Sequence, residues 1–169
     1  ITIIQIFINY LLIMLNPKID DWFKLKGWEP HDYQIKLNSK LSNLNSALVI
    51  APTGGGKTLA GFIPPIADII KEAPKGLHTL YISPLKALAN DIERNLESPI
   101  KEMELDITLE TRTGDTKQSK RTSQKLNPPN FLMTTPESFI LMLSWETSKK
   151  FFSNLKFLII DEIHTLFND

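Results

Sequence analysis

The chain is expected to fold as an α/β protein, a mostly parallel sheet with helices on both faces. Three observations carry that expectation. From residue 17 onward, short apolar runs alternate with segments whose apolar residues recur at helical spacing. A glycine-rich loop joins the first of those runs to a helical pattern. The 169 residues, 42% hydrophobic and 22% charged, suffice for one domain with a real core and are ordinary for a globular protein.

Each element follows from its own pattern. Residues 19–26 and 33–44 carry apolar side chains at helical spacing. Residues 47–51 (ALVIA) read as a short buried strand leading into the glycine loop. Residues 58–71 read as a helix that Pro64 and Pro65 kink or interrupt. A second strand follows at 79–83, then a helix over 85–96 stopped near Pro99. Residues 107–110 and 131–134 are the third and fourth strands, and Pro136 opens a helix, a favourable place for proline. Residues 157–160 (FLII) form a fifth strand. No internal repeat, low-complexity tract or interdomain linker interrupts the series.

Composition removes several function classes. There is no cysteine, hence no disulfide framework, thiolate metal site or cysteine nucleophile. That fits a reducing compartment, and a cytoplasmic location is expected. Nineteen basic and nineteen acidic side chains cancel, so bulk charge attracts no polyanion and any such binding must be local. The charge is uneven: residues 91–110 hold seven acids and two bases, and residues 112–125 hold five bases and one acid. Solvated faces or loops explain both runs, and residues 117–125 read as a basic loop.

Residues 1–15 hold twelve apolar side chains, fewer than the ~20 a membrane-spanning helix needs. They lack the basic start and cleavage site of a signal peptide. Met14 begins a stretch that reads as an ordinary N-terminus, so residues 1–13 are expected to be upstream translation or an artefact, 14–169 the folded domain, and no membrane partner is expected.

The strongest motif is Ala51-Pro52-Thr53-Gly54-Gly55-Gly56-Lys57-Thr58, between a β-rich run and a helical pattern. That is the context of a phosphate-binding loop, although Ala51 stands where glycine is usual. Backbone N–H groups of Thr53, Gly54, Gly55 and Gly56 can surround phosphate oxygens at the helix N-terminus. Lys57 would reach the β- and γ-phosphates and Thr58 would hold Mg²⁺. The second motif is Asp161-Glu162-Ile163-His164, delivered by an apolar strand. Asp161 is placed to hold Mg²⁺, and Glu162 to orient and deprotonate a water. Asp-Glu at a strand end is ordinarily a solvated loop; paired with the phosphate loop it signals hydrolysis of a nucleoside triphosphate.

Further segments narrow the reading: Gly27-Trp28-Glu29-Pro30-His31-Asp32-Tyr33-Gln34, Tyr81-Ile82-Ser83-Pro84-Leu85-Lys86-Ala87-Leu88-Ala89, Arg112-Thr113-Gly114-Asp115-Thr116 and Thr134-Thr135-Pro136-Glu137-Ser138. In this order and spacing the set resembles the first RecA-like domain of superfamily 2 helicases. It looks closest to the large helicase-related (Lhr) family and its DNA-ligase-associated DEXH-box branch, though Ile163 replaces a tryptophan common in that branch. The resemblance covers about residues 17–169. It implies a RecA-like P-loop domain, C-terminally truncated, forming the ATP-binding part of an ATP-dependent motor.

The implied activity is 3′-to-5′ translocation on single-stranded DNA in repair, with ATP and Mg²⁺ as cofactors. Gln34 matches a glutamine that reads adenine, and its amide can donate and accept at once. Lys57, Asp161 and Glu162 match the catalytic positions. His164 matches a residue coupling the ATP site to the nucleic-acid side. Ser83, Pro84, Lys86, Thr113, Gly114, Thr134, Thr135 and Pro136 match segments that contact the nucleic-acid backbone, DNA in preference to RNA. A DNA ligase or nuclease partner is implied by resemblance alone. A Ski2-like RNA helicase and a non-catalytic nucleotide-binding product share the same motifs. The Ser-Ala-Thr-like segment and the second RecA-like domain of the family are not among these residues. Taken singly, Ser83 and Thr135 also read as helix caps before proline. Trp22 and Phe23 read as core; Trp28, beside the Gln34 segment, is a candidate to pack on adenine, but the reading without that role is favoured, since a base platform needs an exposed face.

Overall fold

The computed structural model describes residues 15–41, 46–50 and 55–162. The expectations for residues 1–13, Thr53, Gly54, Ile163 and His164 lie outside those residues. The chain divides after Lys71 into two compact units, each described by itself.

The first unit is helical among its described residues. Helix α1 (Pro17–Leu25) starts at Asn16, whose side chain accepts the Lys18 N–H at 3.1 Å, with Pro17 in the first helical position. It ends where Gly27, at φ +65°, lets the Trp28 N–H return to the Phe23 carbonyl at 3.0 Å. Ile19, Trp22 and Phe23 are buried on one face of α1. Helix α2 (Asp32–Leu41) follows. Helix α3 (Lys57–Glu72) runs through Pro64 and Pro65 without the interruption that was one of the two expectations there, a kink being the other. Both prolines are buried beside Ile63 and Ile66, and Gly61 stands four residues before Pro65, where the ring presses on the backbone.

The strand expected at 47–51 does not form over residues 46–50, where Leu48 and Ile50 are exposed. A strand gains its burial and hydrogen bonds from a neighbour, and these residues pair with none in the observed sheet.

The second unit is an open parallel sheet with helical cover. Its strands are β1 (Thr79–Ile82), β2 (Leu109–Arg112), β3 (Phe131–Thr134) and β4 (Phe157–Ile160), in the order β2-β3-β1-β4 with every pair parallel. Between them lie helices α4 (Lys86–Glu102), α5 (Gln118–Leu126), α6 (Pro136–Leu143) and α7 (Ser148–Phe151). Register places Tyr81 beside Met133 and Ile159, and Met133 beside Thr111. Odd-numbered strand residues therefore share one face and even-numbered residues the other. Leu80, Ile82 and Leu132 pack with Met142 of α6 and Phe151 of α7 on the even face. Helix α4 lies on the odd face, where the Thr111 hydroxyl reaches the Ala89 carbonyl at 3.4 Å.

Three expectations shift here. The strand expected at 107–110 lies at Leu109–Arg112, with two charged residues in four. Helix α4 continues past Pro99 to Glu102, because proline removes only its own N–H while Pro99 and Ile100 stay in the core. The expected basic loop is mostly helix α5. Its buried residue is Gln124, whose amide donates to Glu110 Oε2 at 2.7 Å and the Thr111 carbonyl at 3.1 Å, and accepts from Arg112 Nη1 at 3.3 Å.

Candidate nucleotide and nucleic-acid site

In the first unit, the described end of the glycine loop is built around Gly56. Its φ is +76°, in the left-handed region, and a Cβ there would lie 3.0 Å from Gln34 Nε2 and 3.4 Å from the Tyr33 hydroxyl. Only glycine meets both demands without strain. The Gly56 carbonyl accepts from Ala60 N–H at 3.0 Å, the first turn of α3, and from Gln34 Nε2 at 3.1 Å. Lys57 and Thr58 then occupy the first turn of α3, with Thr58 exposed.

Gln34 also sits three residues beyond His31, the residue before α2. Its Oε1 accepts the His31 N–H at 2.8 Å while its own N–H donates to the His31 carbonyl at 2.9 Å. This is the reciprocal half of a capping box. The residue expected to read a base is thus buried and joins the start of α2 to the glycine loop. One amide hydrogen and one lone pair remain for a ligand. Trp28 is half exposed and meets Trp22 edge-on, with ring centroids 5.7 Å apart.

In the second unit, the parallel strands all end on one edge of the sheet. The register pairs Ile82 with Thr134 and Ile160, and Thr134 with Arg112. The next residues, Thr113, Thr135, Ser83 and Asp161, therefore lie along that edge in sheet order. In open α/β sheets ligands bind at this carboxyl edge.

Asp161 is held on three sides. Its N–H donates to the Ile82 carbonyl at 2.9 Å, its Oδ1 accepts the Glu162 N–H at 2.9 Å, and its Oδ2 accepts the Tyr81 hydroxyl at 2.5 Å. Glu162 is exposed and adopts φ +48°, uncommon for a residue with a side chain. Burial, and then the bond to Asp161, push the Tyr81 phenol far above its ordinary range, so it remains a donor. Tyr81 was not singled out in the sequence. The available signal is a hydroxyl in a fully buried strand, which demands a partner.

The residues matched to nucleic-acid contacts divide by exposure. Ser83, Thr113, Thr134 and Thr135 are buried. The Thr134 hydroxyl donates to the Arg112 carbonyl at 2.7 Å, and the Thr135 and Ser138 hydroxyls meet at 3.3 Å. Pro84 and Pro136 are half-buried, and Lys86 and Gly114 are exposed. Lys86 Nζ lies 2.9 Å from each Asp115 carboxylate oxygen.

Arg121 belongs to the same edge although the sequence reading left it in a solvated loop. It donates to the Thr113 carbonyl at 3.1 Å and the Gly114 carbonyl at 2.5 Å, holding that turn in place. Arg112 lies 4.6 Å from the Trp145 ring centre and donates to the Arg121 carbonyl at 3.1 Å. Burial, and then the like charge of Arg121, lower the Arg112 pKa.

A glycine turn opening a helix with Lys-Thr, and a parallel sheet delivering Asp-Glu at its carboxyl edge, define a P-loop nucleotide-binding protein of RecA-like architecture. The chain belongs to the DEAD/DEAH box helicase family, whose model matches residues 31–169. It is 40% identical over 159 residues to the Lhr helicase/probable uracil glycosylase of Mycolicibacterium smegmatis, covering 86% of this chain and 10% of that protein. It is 38% identical over 173 residues to the ATP-dependent helicase Lhr-Core of Methanocaldococcus jannaschii, covering 92% of this chain and 20% of that one. The solved structure of Mycobacterium smegmatis helicase Lhr bound to ssDNA and AMP-PNP is similar with a TM-score of 0.79 at 38% identity, over 90% of this chain and 21% of that chain. The chain thus spans about a tenth to a fifth of the length of these relatives.

DEAD/DEAH box helicases use ATP with Mg²⁺. The residues present fit both. Taken unit by unit, Gly56 supplies the left-handed glycine that a phosphate-binding turn uses, and the Thr58 hydroxyl of the first unit and the Asp161 carboxylate of the second are each a hard oxygen ligand of the kind Mg²⁺ takes. Among the described residues no three His, Cys, Asp or Glu side chains gather into a metal cage. A Mg²⁺ ion carried by phosphate and water needs no such cage.

Proposed function

We propose that this chain is the N-terminal ATP-binding part of an ATP-dependent helicase that moves 3′-to-5′ on single-stranded DNA and acts in repair. The single observation that carries the reading is the shared carboxyl edge, where Asp161 and Glu162 stand in line with the Ser83, Thr135 and Thr113 segments. The ssDNA in the related Lhr structure supports DNA as the substrate.

Each residue then has a task. The glycine loop N–H groups and Lys57 bind the phosphates, and Thr58 and Asp161 hold Mg²⁺. When bound, Mg²⁺ offsets the charge that develops on the phosphoryl oxygens. Glu162 orients a water and takes its proton. Gln34 fixes the glycine loop and offers its remaining amide groups to the base. His164 couples the nucleotide to the nucleic-acid side. Exposed Lys86, and backbone N–H groups near Pro84, Gly114 and Pro136, hold phosphates without reading sequence. Asp115 competes with such a phosphate for Lys86, and an exposed ion pair is weak enough to be displaced.

The test uses the whole protein. Lys57→Ala should weaken nucleotide binding, and Glu162→Gln should keep binding while hydrolysis falls by about 10²-fold or more. Single-stranded DNA should stimulate hydrolysis, and duplexes with a 3′ tail should be unwound in preference to those with a 5′ tail. Stimulation by single-stranded RNA alone would move the assignment to RNA. Hydrolysis unaffected by Glu162→Gln would end the motor reading.

A further inference from the structure

We propose that Tyr81 is a positioning residue for the Mg²⁺ site: its hydroxyl fixes one oxygen of the Asp161 carboxylate and so presents the other to the metal. The inference rests on the functional reading above, which gives Asp161 to Mg²⁺.

The geometry follows from the sheet. Strands β1 and β4 are parallel neighbours, with Tyr81 beside Ile159. Asp161 lies two residues further along the same face, about 6.6 Å along the strand direction. A phenol leaning along its strand reaches that far, whereas a shorter hydroxyl side chain at the same position does not. The resulting contact, 2.5 Å between hydroxyl and carboxylate oxygens, has the length of a charge-assisted hydrogen bond.

The two carboxylate oxygens are not equivalent. Oδ2 takes the strong bond from Tyr81, in the buried direction, while Oδ1 takes only the Glu162 N–H at 2.9 Å. That leaves Oδ1 the freer oxygen of a half-buried side chain beside exposed Glu162. The carboxylate cannot turn about its own axis without breaking both bonds. A ligand held in this way binds metal more tightly, because its orientation is set before the ion arrives.

The sequence of β1 points the same way. Every residue of this strand is buried, and Tyr81 itself is 2% exposed. Phenylalanine would fill that volume without bringing a polar group into the core. A tyrosine there brings a hydroxyl that needs partners, and it meets the Asp161 carboxylate, with the Ser83 hydroxyl also beside it.

The experiment compares wild type and Tyr81→Phe in the full-length protein, using a fluorescent ATP analogue titrated with and without Mg²⁺. The Mg²⁺ concentration for half-maximal binding should rise roughly tenfold in the variant. Affinity for the analogue without metal should stay unchanged, which a general loosening of the fold would not allow. If the variant is partly unfolded, the signal amplitude falls but the Mg²⁺ half-point does not, so the comparison remains decisive. An unchanged half-point overturns the role of Tyr81. If wild type itself binds the analogue without any Mg²⁺ dependence, the metal assignment of Asp161 fails instead, and the two failures are distinguishable.

Discussion

Gly56 shows how one residue ties local geometry to the proposed nucleotide site. Its left-handed backbone disfavours any side chain, and a methyl group would lie 3.0 Å from Gln34 Nε2, close enough that the amide would have to shift by a few tenths of an ångström. Gly56→Ala should therefore incur two costs: about 1–2 kcal/mol for an L-residue in the left-handed region and a further clash with the Gln34 amide. Nucleotide affinity should fall by about tenfold or more, since 1.4 kcal/mol corresponds to a factor of ten. The clash is separable from the strain, because Gln34→Ala removes the neighbour but leaves φ alone. The double variant should recover part of the loss, a coupling that a double-mutant cycle of nucleotide affinities measures. Strictly additive losses would mean that Gln34 does not shape the loop. The need for glycine was legible in the sequence as a run of three. The other half of the pair was not, because Gln34 lies 22 positions away and makes its bond through a backbone carbonyl.

Helix α5 is an element built on polar contacts. It buries Gln124, whose three bonds to Glu110, the Thr111 carbonyl and Arg112 join the helix to β2. Gln124→Leu keeps the bulk but takes one hydrogen bond from each of the three partners, and should destabilise the protein by about 1–3 kcal/mol, the cost of leaving buried polar groups short of partners. Lys120→Ala on the same helix removes only a surface pair with Glu110 at 4.0 Å and should change stability by less than about 0.5 kcal/mol. Urea unfolding of both variants checks the difference; equal, small effects would show that α5 docks by other means. The same contacts explain what sequence reading could and could not see. Strands β1, β3 and β4 and helices α1 and α6 follow apolar patterns, and each was legible. Helix α5 has almost no apolar face, so the signal on which periodicity depends is absent. Pro99 misled in the opposite way: the helix-breaking rule is local, and buried Pro99 and Ile100 carry α4 on for another turn. The strand expected at 47–51 does not form over its described residues 47–50, because strand pairing is settled by a neighbour, not by the run itself. The edge that gathers Ser83, Thr113, Thr135 and Asp161 was only partly legible. Their segments could be picked out one by one, but their common line required the strand order.

Across the second unit, the cover of the sheet is uneven, and stability should follow it. Strands β1 and β3 are buried along their whole length, and their even face joins Met142 and Phe151 in one core. Strand β4 alternates between half-buried and exposed, with Leu158 50% and Ile160 40% exposed on the even face beside that core. A parallel sheet is normally covered on both faces, so β4 extends the apolar face beyond its helical cover. Removing a side chain from the covered part leaves a cavity, whereas removing one from the open part gives up little burial. Leu132→Ala should therefore cost about 2–5 kcal/mol, and Leu158→Ala less than about 1 kcal/mol, although both are leucines on the even face, in register with Leu80 from either side. Leu158→Thr should be tolerated as well, because threonine suits a strand and the side chain already meets solvent. The three variants can be compared by urea unfolding followed through tryptophan fluorescence, with Trp145 reporting from beside the even-face core. A loss at Leu158 equal to that at Leu132 would show that β4 is covered in solution, and that its apolar face is an interior surface of the folded protein. On the proposed function, this difference bears on the carboxyl edge that carries Asp161. Asp161 follows directly from β4, and β4 pairs with β1, so the ladder to β1 carries the carboxylate that Ile82, Tyr81 and the Glu162 N–H hold.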